Sequence, residues 1–502
     1  MNTSNIITRP VSRRTFLGAA TMGLTAAAAA ACGTRAVSPV DAHRVNKSAI
    51  DAAEARRPHT GRTVSYTLDP RRTDIDLGGP VVNTYAYGDT IPGSVIRANV
   101  GDELSITTRN ALTDATSVHW HGIALRNDMD GAAPATPDIA AGDAFTYRFS
   151  VPDSGTYWAH PHVGLQSDFG LYAPIIIDDP REPHDHDTEW IVVLDDWTDG
   201  VGNSPRDILT SLQKGGMSMG GMSGGSTSGV GTSALLGGDA GDVAYPLYLV
   251  NGRIANAPTT FTAAPGQRIR IRIINAGADT AFRVALGGHR MTVTHTDGFP
   301  VTPTDVDALL IGMSERYDVL VTVKDGVFPL VASPEGKTGT ARALLRTGAG
   351  ATPAVNVRPA ELDGFVGTVD TFVATDDVTL PTGREDAALQ AILAGTMSKY
   401  QWTINGRVYE QMEPIMITQG QRASLTFTNT TTMWHPMHLH GHTFQVRRPD
   451  GTPGPRKDTV AVRPGERVVV DLVADNPGQW MLHCHNAYHQ DAGMMTRLDY
   501  RI

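Results

Sequence analysis

His483-Cys484-His485, with His489 five residues after the cysteine and Met494 ten, is the stretch of this chain best equipped for chemistry. A thiolate between two imidazoles can bind one metal ion while the flanking rings bind others, which makes the intervening peptide bonds a short electron path. Cysteine, histidine and a weak thioether ligand are three of the four parts of a blue-copper electron-transfer site. The missing part is a second histidine. His435-Pro436-Met437-His438-Leu439-His440-Gly441 supplies it, with two histidines left over. Upstream, His119-Trp120-His121 and His160-Pro161-His162 bring the total to ten histidines in four clusters. One His-x-His alone means little, because alternate residues of any strand share a face. Four such clusters around one cysteine point to copper.

Two internal repeats identify the elements that must position these residues. Gly101 and Asn110, Gly266 and Asn275, and Gly420 and Asn429 each bracket eight residues of alternating hydrophobicity, the pattern of a half-buried strand after a tight turn. The copies lie roughly 150 to 165 residues apart, so three β-sandwich domains follow. The second repeat carries the chemistry. Gly155-Thr156-Tyr157-Trp158-Ala159-His160-x-His162 matches Gly478-Gln479-Trp480-Met481-Leu482-His483-x-His485, and His119-x-His121-Gly122 matches His438-x-His440-Gly441. The corresponding middle segment, Gly326 to Val331, has no histidine; its domain is expected to space the outer two so that their ligands face each other. Eight imidazoles at that interface can hold three coppers, two with three ligands and one with two.

These motifs together resemble the multicopper oxidases, the family of laccases, ferroxidases and cuprous oxidases, and most of all its actinobacterial lipoprotein branch with its mycobacterial copper-resistance members. The resemblance runs from about residue 50 to the C-terminus. It implies an all-β chain of three tandem cupredoxin-like Greek-key sandwiches and four copper ions. His435, Cys484 and His489, with Met494 axial, would hold the type 1 (blue) copper; His119 and His438 would hold the type 2 copper. His121, His160 and His485 would hold one type 3 copper, and His162, His440 and His483 the other. The chemistry implied is oxidation of Cu(I), Fe(II) or a phenol coupled to reduction of dioxygen to water. Asp130 looks like the acid that relatives place beside the cluster to relay protons, against the plain reading of an Asp-Gly turn. Some relatives carry a glutamate directly after the second blue-site histidine; here that position is Gln490.

The rest of the composition agrees with this reading. A chain of 502 residues exceeds one core, and 52 glycines, 31 prolines and only 19% charged residues suit a loop-rich β protein. A net charge of −10 argues against nucleic acid as a partner. Ser12-Arg13-Arg14-Thr15-Phe16-Leu17-Gly18 before an alanine-rich run is a twin-arginine export signal. Cys32, just after that run, is read as a lipidated first residue of a monomer held at the cell envelope, with ordinary cleavage after an alanine as the competing reading. The expected organisation is 1–32 signal, 33–60 tether with a brief helix over 49–57, and domains 61–182, 183–355 and 356–502. A Met/Gly-rich loop spans 215–229. Its Met217, Met219 and Met222 are either incidental to a flexible loop or soft thioethers that collect cuprous ions.

Overall fold

The computed structural model describes residues 47–182, 185–215, 230–381 and 383–501. Cys32, the arginine pair and Met217, Met219 and Met222 lie outside them. Each copy of the repeat builds the same sheet. Ile96–Asn99, Ala173–Asp178, Gly155–His160 and His119–His121 are neighbours in that order in the first sandwich. Thr260–Thr262, Ala341–Arg346, Val327–Pro334 and Phe282–Leu286 follow the same order in the second, and Ile415–Thr418, Met495–Arg501, Gln479–Cys484 and His435–Leu439 in the third. In all three the first pair is parallel and the others antiparallel. The fold is therefore all-β and cupredoxin-like three times over.

The Gly-to-Asn repeat becomes the strands Glu103–Arg109, Arg268–Asn275 and Arg422–Asn429. The asparagine has a physical reason to recur, because it ties its strand to two neighbouring segments. Asn110 Nδ2 donates to the carbonyls of Asp114 and Ile139, Asn275 Nδ2 to those of Thr280 and Ile311, and Asn429 Nδ2 to those of Met433 and Val462. In each copy Oδ1 accepts from the backbone two residues on, at Leu112, Gly277 and Thr431. Buried main-chain carbonyls at the mouth of each sandwich are thus satisfied by one side chain.

Register places the histidines. His119 lies opposite His160, and His438 opposite His483, so paired strands carry their rings on a common face. One expectation changes. The end of the expected tether is docked: the helix Lys47–Glu54 buries Ile50 and Ala53, one turn apart. Glu54 Oε1 accepts from Ser150, while Arg57 donates to Asn476 Oδ1 at 2.9 Å. This segment therefore bridges the first and third sandwiches. His289 sits in the turn before Met291–Thr296, with its ring nitrogens bonded to Gly287 O and Lys324 N. No helix among the described residues is long and apolar enough to cross a membrane.

Replacing Asn275 with alanine leaves the Thr280 and Ile311 carbonyls buried without their donor. The expected loss is about 2–4 kcal/mol, measured as a lower thermal midpoint of the metal-free chain.

Candidate metal centres

The chain reaches Cys484 at the end of Gln479–Cys484, passes His485, and turns at once into the short helix Ala487–Asp491. Asn486 caps that helix, accepting from Tyr488 N and His489 N, and its Nδ2 donates to Asp279 of the second sandwich at 2.6 Å. The turn brings His489 back to the cysteine. His435 Nδ1 and His489 Nδ1 are 3.1 Å apart and each is 3.7 Å from Cys484 Sγ. A metal with bonds of about 2.0 Å to nitrogen and about 2.3 Å to sulfur in a trigonal plane needs N–S edges of about 3.7 Å, so the three atoms fit one ion. Met494 is fully buried, and its carbonyl accepts from Cys484 N at 3.1 Å. The far nitrogens are engaged: His435 Nε2 with Thr431 Oγ1 at 2.8 Å and His489 Nε2 with Asp242 Oδ2 at 3.0 Å. Tyr400 donates to that same oxygen at 2.6 Å.

The other eight histidines meet between the first and third sandwiches. His162 Nε2 and His440 Nε2 lie 3.2 and 3.1 Å from His483 Nε2, while His160 Nε2 lies 3.3 Å from His485 Nε2 and 3.5 Å from His121 Nδ1. His119 and His438 stack on rings from the opposite sandwich, His119 on His440 at 3.6 Å and His438 on His121 at 3.7 Å. The buried Nε2 atoms of His119 and His438 have no hydrogen-bond partner among the described residues. Polar atoms left bare inside a protein are costly, and a ring of bare imidazole nitrogens is what metal ions require. The donor set fits copper.

Two aspartates hold the rings. Asp130 accepts from His119 Nδ1 through its carbonyl at 2.9 Å and from His440 Nδ1 through Oδ2 at 2.9 Å. Asp458 does the same from the other side, taking His438 Nδ1 on its carbonyl at 2.9 Å and His121 Nε2 on Oδ1 at 3.0 Å. Asp130 was visible in the sequence. Asp458, Arg316, Asp242 and Tyr400 were not, because no repeat or fixed spacing ties them to a histidine cluster. The glycine after each His-x-His also has a local cause. At Gly122 (φ +87°) a Cβ would lie 2.4 Å from Arg316 Nη2, and at Gly441 (φ +62°) it would lie 2.2 Å from the Trp480 ring.

Burial, followed by repulsion between neighbouring rings, holds His160, His162, His440 and His485 well below the ordinary imidazole range. Burial, then His438, does the same for His121 and His483. These rings are neutral at pH 7 with lone pairs free for metal. His489 is the opposite case: burial works against its charge, but the bonds to Asp242 and Cys484 raise it to about 10 in the metal-free chain.

Three family models, each described as multicopper oxidase, match residues 71–182, 188–350 and 382–501. The chain is similar to the multicopper oxidase MmcO of Mycobacterium tuberculosis, 59% identical over 494 residues, which cover 98% of this chain and 97% of that one. It is also similar to copper resistance protein A of Escherichia coli, 28% identical with 87% and 93% covered. Among solved structures, a laccase from Botrytis aclada superposes with a TM-score of 0.70 at 26% identity, covering 89% and 90%. Fet3p, a multicopper oxidase that functions in iron import, superposes with a TM-score of 0.74 at 22% identity, covering 88% and 90%, and shares the fold.

The six depressed imidazoles set a pH dependence for the metal-free chain. Below the ordinary value of 6.5 the unfolded chain takes up protons that the folded cluster refuses, so stability falls as pH drops. Among the histidines with a shifted value, His489 pulls the other way, adding stability below 6.5 that is lost as pH rises toward about 10. The denaturation midpoint of the metal-free chain should therefore drop steeply between pH 7 and pH 5.5. Copper loading should raise the midpoint and steepen the profile, because protons compete with the metal for every ligand ring, His489 included.

Proposed function

The chain belongs to the multicopper oxidase family, and we propose that it is an exported cuprous oxidase, coupling oxidation of Cu(I) to reduction of dioxygen to water in copper resistance. Fe(II) and phenols are further donors in this reading. Four coppers would be held: type 1 by His435, Cys484, His489 and Met494, type 2 by His119 and His438, and the type 3 pair by His121, His160 and His485 and by His162, His440 and His483. Copper in these sites supplies one-electron acceptance from the donor and, over four turns, the electrons that take dioxygen to water.

The chain's own contribution is positional. Cys484 joins the two centres through its main chain, because His483 and His485 are its immediate neighbours. Asp130, with Oδ2 on His440 Nδ1 and Oδ1 3.3 Å from His119 Nδ1, is placed to hand protons to the cluster as oxygen is reduced. Burial of every cluster ring but the half-buried His162 keeps bulk water away from the reacting centre.

The observation that carries Cu(I) as donor is the cover on the blue site. The His489 ring is fully buried, and a carboxylate with a tyrosine hydroxyl occupies its outer nitrogen. A planar phenol finds no open ring edge there, whereas a cation is drawn to Asp242. An open cavity of about 290 Å³ beside it is lined by Tyr400, Gly493, Glu410 and Asp491 among others, and by Gln213 at the end of the helix that leads to the Met-rich loop. Relatives named for copper resistance support the same reading. Export and a lipid on Cys32 rest on the N-terminal residues alone, and the monomer is part of the same proposal.

The deciding experiment is oxygen uptake by the copper-loaded chain supplied with Cu(I) under a chelator control, beside a Cys484→Ser variant. Uptake that disappears in the variant supports the cuprous oxidase, and its blunting when Met217, Met219 and Met222 are replaced assigns them to collecting the ion. Uptake with phenols alone makes the protein a laccase. Asp242→Asn should lower Cu(I) turnover about tenfold, the equivalent of about 1.4 kcal/mol. Equal losses with Cu(I) and with a phenol would refute the role given to that carboxylate.

A further inference from the structure

Seven of the eight cluster histidines turn Nε2 inward. Five of them donate from Nδ1 to an acceptor behind the ring: His119 to Asp130 O, His160 to Pro161 O, His438 to Asp458 O, His440 to Asp130 Oδ2 and His483 to Cys484 O. His162 and His485 face their neighbours through Nε2. His121 is reversed, with Nδ1 toward His160 and Nε2 on Asp458 Oδ1. Which nitrogen of a histidine is free for metal is decided by the hydrogen bond that the other one makes. For His121 that partner is a side chain, and the side chain is itself held from a third direction.

Arg316 does the holding. It is fully buried at the start of Arg316–Thr322 in the second sandwich. Its Nη1 donates to Asp458 Oδ1 at 2.8 Å and its Nη2 to Oδ2 at 2.5 Å, its Nε donates to Thr156 O of the first sandwich, and its Nη1 also reaches Ser314 O. One guanidinium therefore touches all three sandwiches. Burial would raise the Asp458 carboxyl, but Arg316 and then His121 hold it well below the usual range. Space has been left for the pair, since at Gly122, the residue after His121, any Cβ would overlap both Arg316 Nη2 and Asp458 Oδ2.

We infer that Arg316, from the one sandwich without a cluster histidine, is a positioning residue for the cluster: by locking Asp458 it holds His121 with its proton on Nε2 and Nδ1 turned inward to bind metal. Without the lock, the nearest partner for His121 Nε2 is Thr459 Oγ1 at 3.5 Å, too far to fix the ring. The middle sandwich thus sets the geometry of a site to which it contributes no ligand. The inference rests on the ligand set proposed above.

The test uses the full copper-loaded chain, Asp458→Asn and Arg316→Lys. The readouts are copper per chain, the visible absorption of the blue site, the near-ultraviolet absorption of the coupled type 3 pair, and copper release to a chelator. Asparagine keeps the size but loses the charge. Lysine keeps the charge of Arg316 but not its two-pronged grip. In Asp458→Asn the affinity for the type 3 coppers should fall about 10–100-fold and their absorption should be lost, with the blue site unchanged. Arg316→Lys should fall between this variant and the unaltered chain, and it carries the test if Asp458→Asn does not fold. A type 3 signature and copper retention unchanged beside an intact blue site would overturn the inference. So would equal loss of both signatures, which marks a pair that merely holds the fold. An unaltered chain that binds copper only at the blue site would instead remove the ligand set itself.

Discussion

Two aspartates at the seam of the outer sandwiches are the constraint on which the rest of the molecule depends. Asp130 gives its carbonyl to a ring of its own sandwich and its carboxylate to a ring of the other, and Asp458 mirrors it. Each therefore ties the two halves of the cluster together while deciding which nitrogen each ring offers. Imidazoles crowded into a buried space repel any proton brought among them. They are stable there because six of the back nitrogens are bonded and the bare front nitrogens suit cations.

The middle sandwich gains a meaning from this arrangement. It has the strand order of its neighbours but no histidine of the cluster, and a spacer needs nothing more. Yet Arg316 reaches from it to Asp458, Asp279 anchors the turn between His485 and His489, and Asp242 covers the outer nitrogen of His489. Of these three side chains Asp242 meets a histidine of the proposed sites directly, while Arg316 and Asp279 act through Asp458 and Asn486. A further buried network, Arg270 and Arg272 on Asp318, with Asp318 also accepting from Thr156, locks the first and second sandwiches face to face. Charges this deeply buried stabilise only as complete sets, so the domains are fixed in one relative geometry rather than loosely docked.

Much of the architecture was legible in the chain because it is written in repeats. The Gly-to-Asn spacing marks a strand whose asparagine must close a loop locally, a task that depends on neighbours a few residues away as much as on the partner sheet. The His-x-His pairs are legible for a similar reason: alternation along a strand puts two rings on one face whatever lies opposite. The N-terminal stretch was less legible. Residues 47–57 were read as part of a tether because the stretch is short and rich in alanine and arginine, and only the seam beneath it turns Ile50, Glu54 and Arg57 into a docked segment.

By itself the sequence determined the metal chemistry and the triple sandwich, since ligand type, strand period and repeat length are all local properties of a chain. Tertiary structure decided what stands behind the ligands. Asp458 lies 337 positions from His121, Arg316 lies 142 from Asp458, and Asp242 lies 247 from His489. Nothing in the spacing of such residues betrays them, because the hydrogen bonds they make exist only after three separate sandwiches have closed on one another. The identity of the candidate ligands is a matter of composition and period. Their orientation, and the cover over His489, belong to the packing.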